Sequence, residues 1–200
     1  MNEYDSHYAL EQIRRSRQPV RRAIKYFFLN SIRKDIIGPT VDFGCGACQL
    51  LRYLPEGSIG LEVNEYLVDK MRGDGMEILL TRQGDYTSFI ASVNSGEYSC
   101  LVMSHILEHI EDSARVLRKI MKVAHAKKIK RIILVLPGLK GYQSDSTHKT
   151  FVDMDYIVDN GLYSCEGYRI LKKGYFPVNI RKMGNYFKYN ELKIVYEIQQ

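Results

Sequence analysis

The sequence predicts an α/β protein, a mostly parallel β-sheet with helices on both faces. Three observations predict it. Short apolar runs of strand length alternate with helical stretches from about residue 40 to residue 160. The run 132–136 is apolar throughout, as suits a strand covered on both faces. A glycine-rich turn, Gly44-Cys45-Gly46, follows the first strand, and an acid, Glu62, closes the second.

The elements follow in order. In the first forty residues Val20, Ile24, Phe27, Phe28 and Ile32 recur at helical spacing, and Pro19 suits a first helical position. Gly38-Pro39 stops this helix, so residues 1–37 read as an N-terminal helical cap and 38–200 as one ligand-binding domain. Residues 40–43, 59–63, 77–81, 99–104 and 131–136 read as strands. Residues 65–72 form a helix broken by Gly73-Asp74-Gly75. Residues 112–125 form another, with Val116, Leu117, Ile120, Met121 and Ala124 as its apolar stripe. A helix over 152–160 stops at Gly161. Residues 168–175 and 192–198 read as a closing antiparallel pair.

Composition narrows the class. With 200 residues, 45% hydrophobic and 26% charged, the chain is an ordinary globular domain rather than a disordered or fibrous one. No apolar run is long enough for a membrane helix, and the start, Met1-Asn2-Glu3-Tyr4-Asp5, is no secretory signal, so the cytoplasm is the expected address. Cys45, Cys48, Cys100 and Cys165 are expected as free thiols. The net charge of +6 is uneven. Residues 1–40 hold eight Lys/Arg against four acids, 113–131 eight against none, and 168–200 seven against two. Such a surface suits nucleic acid or another anion, and equally a solvated lysine-rich exterior.

The glycine turn and the acid belong together chemically. Glycines let the main chain turn sharply against a ligand, and an acid twenty residues past Asp42 can accept from both hydroxyls of a ribose. A dinucleotide fingerprint needs a third glycine where Gln49 stands, so that pattern fails. Asp42 would repel phosphates and suits a cationic ligand.

Asp42-Phe43-Gly44-Cys45-Gly46 resembles motif I of the class I S-adenosylmethionine (SAM)-dependent methyltransferases. Gly60-Leu61-Glu62-Val63 resembles their ribose-binding strand end, and Gly84-Asp85-Tyr86 the acidic turn that meets adenine. Ser104-His105-Ile106-Leu107-Glu108-His109-Ile110 is similar to the segment after strand four in the small type 11/23-like members. Asp145-Ser146-Thr147-His148-Lys149-Thr150-Phe151 resembles their D-x-x-H-x-x-F stretch. The resemblance spans residues 38–165. It implies a Rossmann-like, seven-stranded sheet with a reversed last strand, and SAM as cofactor. The cofactor contacts it implies are Asp42, Gly44, Cys45, Gly46, Glu62, Val63, Asp85, Tyr86, Ser104, His105 and His109. Cys48 stands in place of a third glycine, where it would crowd the methionine part of the cofactor, and Ser99 in place of an acid that opens strand four.

Methyl transfer depends on proximity and desolvation more than on a fixed triad. A hydroxyl acceptor gains from a general base of near-neutral pKa, and His105 and His148 are the candidates. The expected acceptor is a small molecule, sugar or glycan end, bound by a monomer or homodimer. An RNA methyltransferase tracking phosphates with Arg14, Arg15, Arg17, Arg21 and Arg22 is the rival, and a non-catalytic protein of the same fold is a third reading. Cys45-x-x-Cys48 has redox or zinc spacing but lacks a partner pair, and no metal is expected there. His105-x-x-Glu108-His109 matches an inverted zinc-peptidase motif, which makes a hydrolase a further alternative.

Overall fold

A computed structural model describes residue 26 and residues 28–199. The greater part of the expected cap, with the arginines at 14, 15, 17, 21 and 22, lies outside the described residues. The strands are β1 (Thr40–Phe43), β2 (Ile59–Glu62), β3 (Ile78–Leu80), β4 (Cys100–Ser104), β5 (Arg131–Pro137), β6 (Ser164–Cys165), β7 (Tyr168–Phe176) and β8 (Glu191–Ile198). The helices are α1 (residues 28–33), α2 (Glu65–Gly73), α3 (Ser88–Ser92), α4 (Ser113–Ala126), α5 (Leu139–Tyr142) and α6 (Met154–Asp159). Side-chain caps fix three helix starts: Asn64 accepts from the Leu67 amide, Asp112 from that of Arg115 and Asp153 from that of Tyr156.

One eight-stranded sheet runs in the order β3-β2-β1-β4-β5-β8-β7-β6. β1 to β5 are parallel, and β8 runs antiparallel between β5 and β7. The expected seven strands with the reversed last one are therefore all present. The eighth, β6, is a two-residue edge strand folded back on β7 through Glu166-Gly167, both at positive φ. That pair forms the kind of turn that matches the twist of a hairpin. Two residues carry no periodicity, which is why the sequence reading passes over β6.

The sheet is buried on both faces, and alternate residues divide between them. Leu101, Met103, Ile132, Leu134, Ile194 and Tyr196 enter the larger core with the stripe of α4. Val102, Ile133, Val135 and Val195 meet Phe28, Leu29 and Ile32 of α1 on the other side. The described end of the cap is thus a layer of the fold. It is also held by charge. Asp35, fully buried, pairs with Lys172 and, at 2.8 Å, with Lys193, whose ammonium also donates to Ser31. Asp35→Ala should cost about 3 kcal/mol in urea denaturation, because it strands Lys193 beneath α1. A loss under about 0.5 kcal/mol would mean that water replaces the carboxylate.

Chain order places the site. From β1 the chain winds outward through β2 and β3, then returns to build β4 and β5 on the other flank. Neighbouring strands β1 and β4 therefore send their following loops in opposite directions, which opens a crevice at their carboxyl ends. Phe43 lies level with Met103, so the Gly44 turn and the Ser104-His105 turn face each other.

Candidate active site

The crevice holds a cavity of about 560 Å³, within the roughly 300–1,000 Å³ typical of ligand sites. Every residue expected at the site lines it: Asp42, Gly44, Cys45 and Gly46 after β1, Glu62 and Val63 after β2, and Asp85 and Tyr86 after β3. Ser104, His105 and His109 come from the turn after β4, and His148 from the loop after β5.

The first turn is held by main-chain bonds. The amides of Gly44 and Cys45 both donate to the Leu61 carbonyl, at 2.8 and 3.0 Å. Gly44 has φ +73°, and a Cβ there would stand 2.1 Å from Ile106 Cδ1, so only glycine fits without a shift. Cys48 departs from expectation. It adopts φ +54°, the conformation a glycine would take, and its thiol is fully buried among Cys45, Leu51, Val68, Met71 and Ile78. It does not line the cavity, so it crowds no ligand. The Cys45 thiol is pushed far up by its hydrogen bond to Cys48 and by burial, and both thiols are free. Cys45 therefore does not provide the thiolate that redox or zinc chemistry needs.

Glu62 locks the junction of the two turns. Its Oε2 accepts from the Gly46 amide at 2.8 Å, and its Oε1 from those of Val63 and Asn64 at 2.8 and 3.0 Å. A carboxylate offers about four acceptor directions, so Oε2 retains one. Asp85 Oδ1 accepts from Thr87 and Ser88, and the Ser88 backbone bond leads in holding its carboxyl below the usual range. Tyr86 lies along Phe43, ring centroids 6.3 Å apart.

His105 is clamped between two carboxylates. Its Nδ1 is 3.0 Å from Glu108 Oε1 and its Nε2 3.3 Å from Glu191 Oε1. Burial alone would lower its pKa, but the Glu191 charge and the bonds to both acids outweigh it and hold the ring protonated up to about 10. Both nitrogens therefore donate, and no lone pair is left to take a proton. The expected role of His105 as a general base does not match this geometry. Glu191, which opens β8 opposite Pro137, is a site residue that sequence reasoning missed.

This clamp has a pH signature. The folded ring holds its proton to about pH 10, whereas the ordinary value is 6.5. Its contribution to stability is complete below pH 6.5 and is lost as pH rises from 6.5 towards 10. Denaturation midpoints should fall across that window, and His105→Gln should flatten the slope. An unchanged slope in the variant would show that His105 is not the titrating group.

Beyond the clamp His109 and His148, which also line the cavity, meet with rings edge to face and centroids 4.8 Å apart. His148 Nδ1 donates to the Tyr142 carbonyl at 2.8 Å, leaving its lone pair on Nε2. The Thr147 hydroxyl gives its proton to Asp145, so at 3.1 Å it accepts from His109 Nδ1. Burial lowers the His109 pKa, which keeps that ring neutral near pH 7. The inverted peptidase geometry is absent. His105 takes φ +58°, and Leu107–His109 form a single 3-10 turn rather than a long helix, so His105 and His109 reach different partners. The hydrolase alternative loses its ligand set with that geometry.

The fold, with its cavity at the carboxyl ends of β1 and β4, is the Rossmann-like fold of SAM-dependent methyltransferases. Residues 41–128 match the family model described as "Methyltransferase domain". No curated protein matches the chain by sequence. Among solved structures, a SAM-dependent methyltransferase from Archaeoglobus fulgidus superposes with TM-score 0.70 at 18% identity, over 96% of this chain and 100% of that one. Magnesium protoporphyrin IX methyltransferase from Synechocystis with bound S-adenosylhomocysteine (SAH) gives 0.62 at 13%, over 99% and 97%. A methyltransferase of Haloferax volcanii, in complex with the activator Trm112, gives 0.70 at 12%, over 99% and 97%. The residues present fit SAM: the main chain of the glycine turn lines the cavity, and Glu62 keeps an acceptor direction there. No helix among the described residues is long and apolar enough to cross a membrane.

Proposed function

We propose that the chain methylates a hydroxyl of a small polar acceptor, such as a sugar or glycan end. The observation that carries this reading is the chemistry of the cavity lining. Glu191, His148, Lys149, Lys188 and Tyr189 line it with polar groups, and Phe28 with an apolar one. Such a lining suits a compact, hydroxylated molecule.

SAM supplies the methyl group on an electrophilic sulfonium. In this reading Glu62 accepts from the ribose, the main chain of Gly44 to Gly46 lies along the methionine part, and Asp85 and Tyr86 border the adenine. Asp42 and Ser104 at the ends of β1 and β4, with Cys45, Val63 and His109, complete the cofactor wall. The His105 imidazolium positions Glu191 rather than taking a proton. His148, its Nδ1 held by the Tyr142 carbonyl, turns Nε2 to the acceptor hydroxyl. Closing these walls around the reactants supplies the alignment on which the displacement depends.

The test offers methyl-labelled SAM to the protein with hydroxylated acceptors, the same acceptors with hydroxyls blocked, and transcribed RNA. Label should enter the free-hydroxyl acceptors alone. Label in RNA and none in small acceptors would overturn the acceptor class and favour the basic N-terminus as a nucleic-acid contact.

A further inference from the structure

We propose that Glu108, His109 and His148 form a site for a divalent transition-metal cation where the cofactor wall of the cavity meets its acceptor side; the role given to the ion rests on the hydroxyl-methylating function proposed above. One coordinating atom from each of the three lies within 4.8 Å of the others.

Four features make this more than a chance cluster. First, both histidines have their tautomer fixed from outside. His148 donates Nδ1–H to the Tyr142 carbonyl, and His109 donates Nδ1–H to Thr147, which in turn donates to Asp145. Outer hydrogen bonds of this kind orient metal-binding imidazoles and raise their basicity. Second, Glu108 is fully buried, its Oε1 is taken by His105, and its Oε2 has no hydrogen-bond partner among the described residues. A buried carboxylate oxygen left in this way is costly, and a cation satisfies it. Third, charge favours a cation. Two carboxylates, Glu108 and Glu191, flank the one His105 ring, and Glu191 Oε2 is also without a hydrogen-bond partner among the described residues. Fourth, the ligands come from two loops, after β4 and after β5, so the ion would tie the two walls of the cavity together.

The donor set selects the metal. Two imidazole nitrogens and one carboxylate oxygen suit manganese, iron, cobalt or zinc better than calcium or magnesium. Ligand atoms on one such ion lie about 3–3.5 Å apart, so the site needs to close by about an ångström from its present spacing. Three protein ligands leave coordination positions open towards the cavity. A hydroxyl oxygen bound there would have its pKa lowered by the ion. His148 would then act on the acceptor through the metal rather than by taking its proton.

The experiment titrates chelator-stripped protein with Co²⁺, read by visible absorption, and with Mn²⁺ and Zn²⁺, read by calorimetry. SAH is titrated into the same samples. We expect one ion per chain, with affinity lowered at least tenfold in His148→Ala, His109→Ala and Glu108→Gln. His125→Ala, outside the cavity, should bind as the wild type does. Because Glu108 is buried and His109 lines the cofactor wall, the decisive variant is His148→Ala, which should lose the metal and keep SAH. A wild type that binds SAH but none of the three metals overturns the metal site alone, as does metal binding unchanged in His148→Ala. Metal binding without any SAH binding would leave the site standing and overturn the methyl-transfer reading.

Discussion

Alanine in place of Glu62 should lower the affinity for SAM and SAH by about ten- to a hundredfold in a calorimetric titration. A charge-assisted hydrogen bond contributes about 1.5–3 kcal/mol, and each 1.4 kcal/mol is a factor of ten. The ligand bond is only part of the loss. The same carboxylate accepts from the amides of Gly46, Val63 and Asn64, so its removal also frees the turn that faces the methionine part. Glu62→Gln separates the two effects. The amide keeps the shape and one oxygen, but it must turn an N–H towards a backbone N–H on one side. It should bind more tightly than Glu62→Ala and more weakly than wild type. Wild-type affinity in Glu62→Ala would mean that the ribose lies elsewhere and that the strand-end acid serves only the turn.

The parts of this molecule that were legible in the sequence are those governed by local pattern. Alternate burial of 101–103 and 132–136 on two faces makes those strands apolar throughout, and period and length together reveal them. The stripe of α4 falls on the expected five residues, all buried. Glu62 is readable because a ligand-facing acid must stand where the second strand ends, a constraint within one β-α-β unit. Cys48 was misread because its identity departs from glycine, whereas its backbone does not: it adopts φ +54° and sends its thiol into the core.

What was not legible depends on contacts between distant segments. His105 and Glu108 are neighbours on the chain, but the clamp also needs Glu191, which the antiparallel return of β8 brings to the ring. No spacing rule connects positions so far apart. The pairing of His109 with His148 has the same origin, since it requires the loops after β4 and β5 to meet. Both failures concern ionisable groups, whose chemistry is set by the nearest charges rather than by residue type.

Alanine at Gly44 should abolish measurable cofactor binding and lower stability by about 1–2 kcal/mol. The stability cost follows from the backbone, since φ +73° is a left-handed conformation that an L side chain occupies at that expense. The binding cost follows from the far end of Ile106. The new methyl would meet its Cδ1 at 2.1 Å and its Cγ1 at 3.0 Å, and a flexible side chain gives way first. Ile106 lines the cavity, so displacement pushes it into the space for the reacting groups. A loss of an ångström in alignment is enough to cost about a hundredfold in rate. The double variant Gly44→Ala/Ile106→Ala tests this chain of causes. It should regain part of the lost affinity while remaining less stable than wild type, because shortening Ile106 relieves the clash but not the backbone. If the double variant binds no better than Gly44→Ala, the turn itself has moved, and the Leu61 carbonyl that anchors it becomes the place to look.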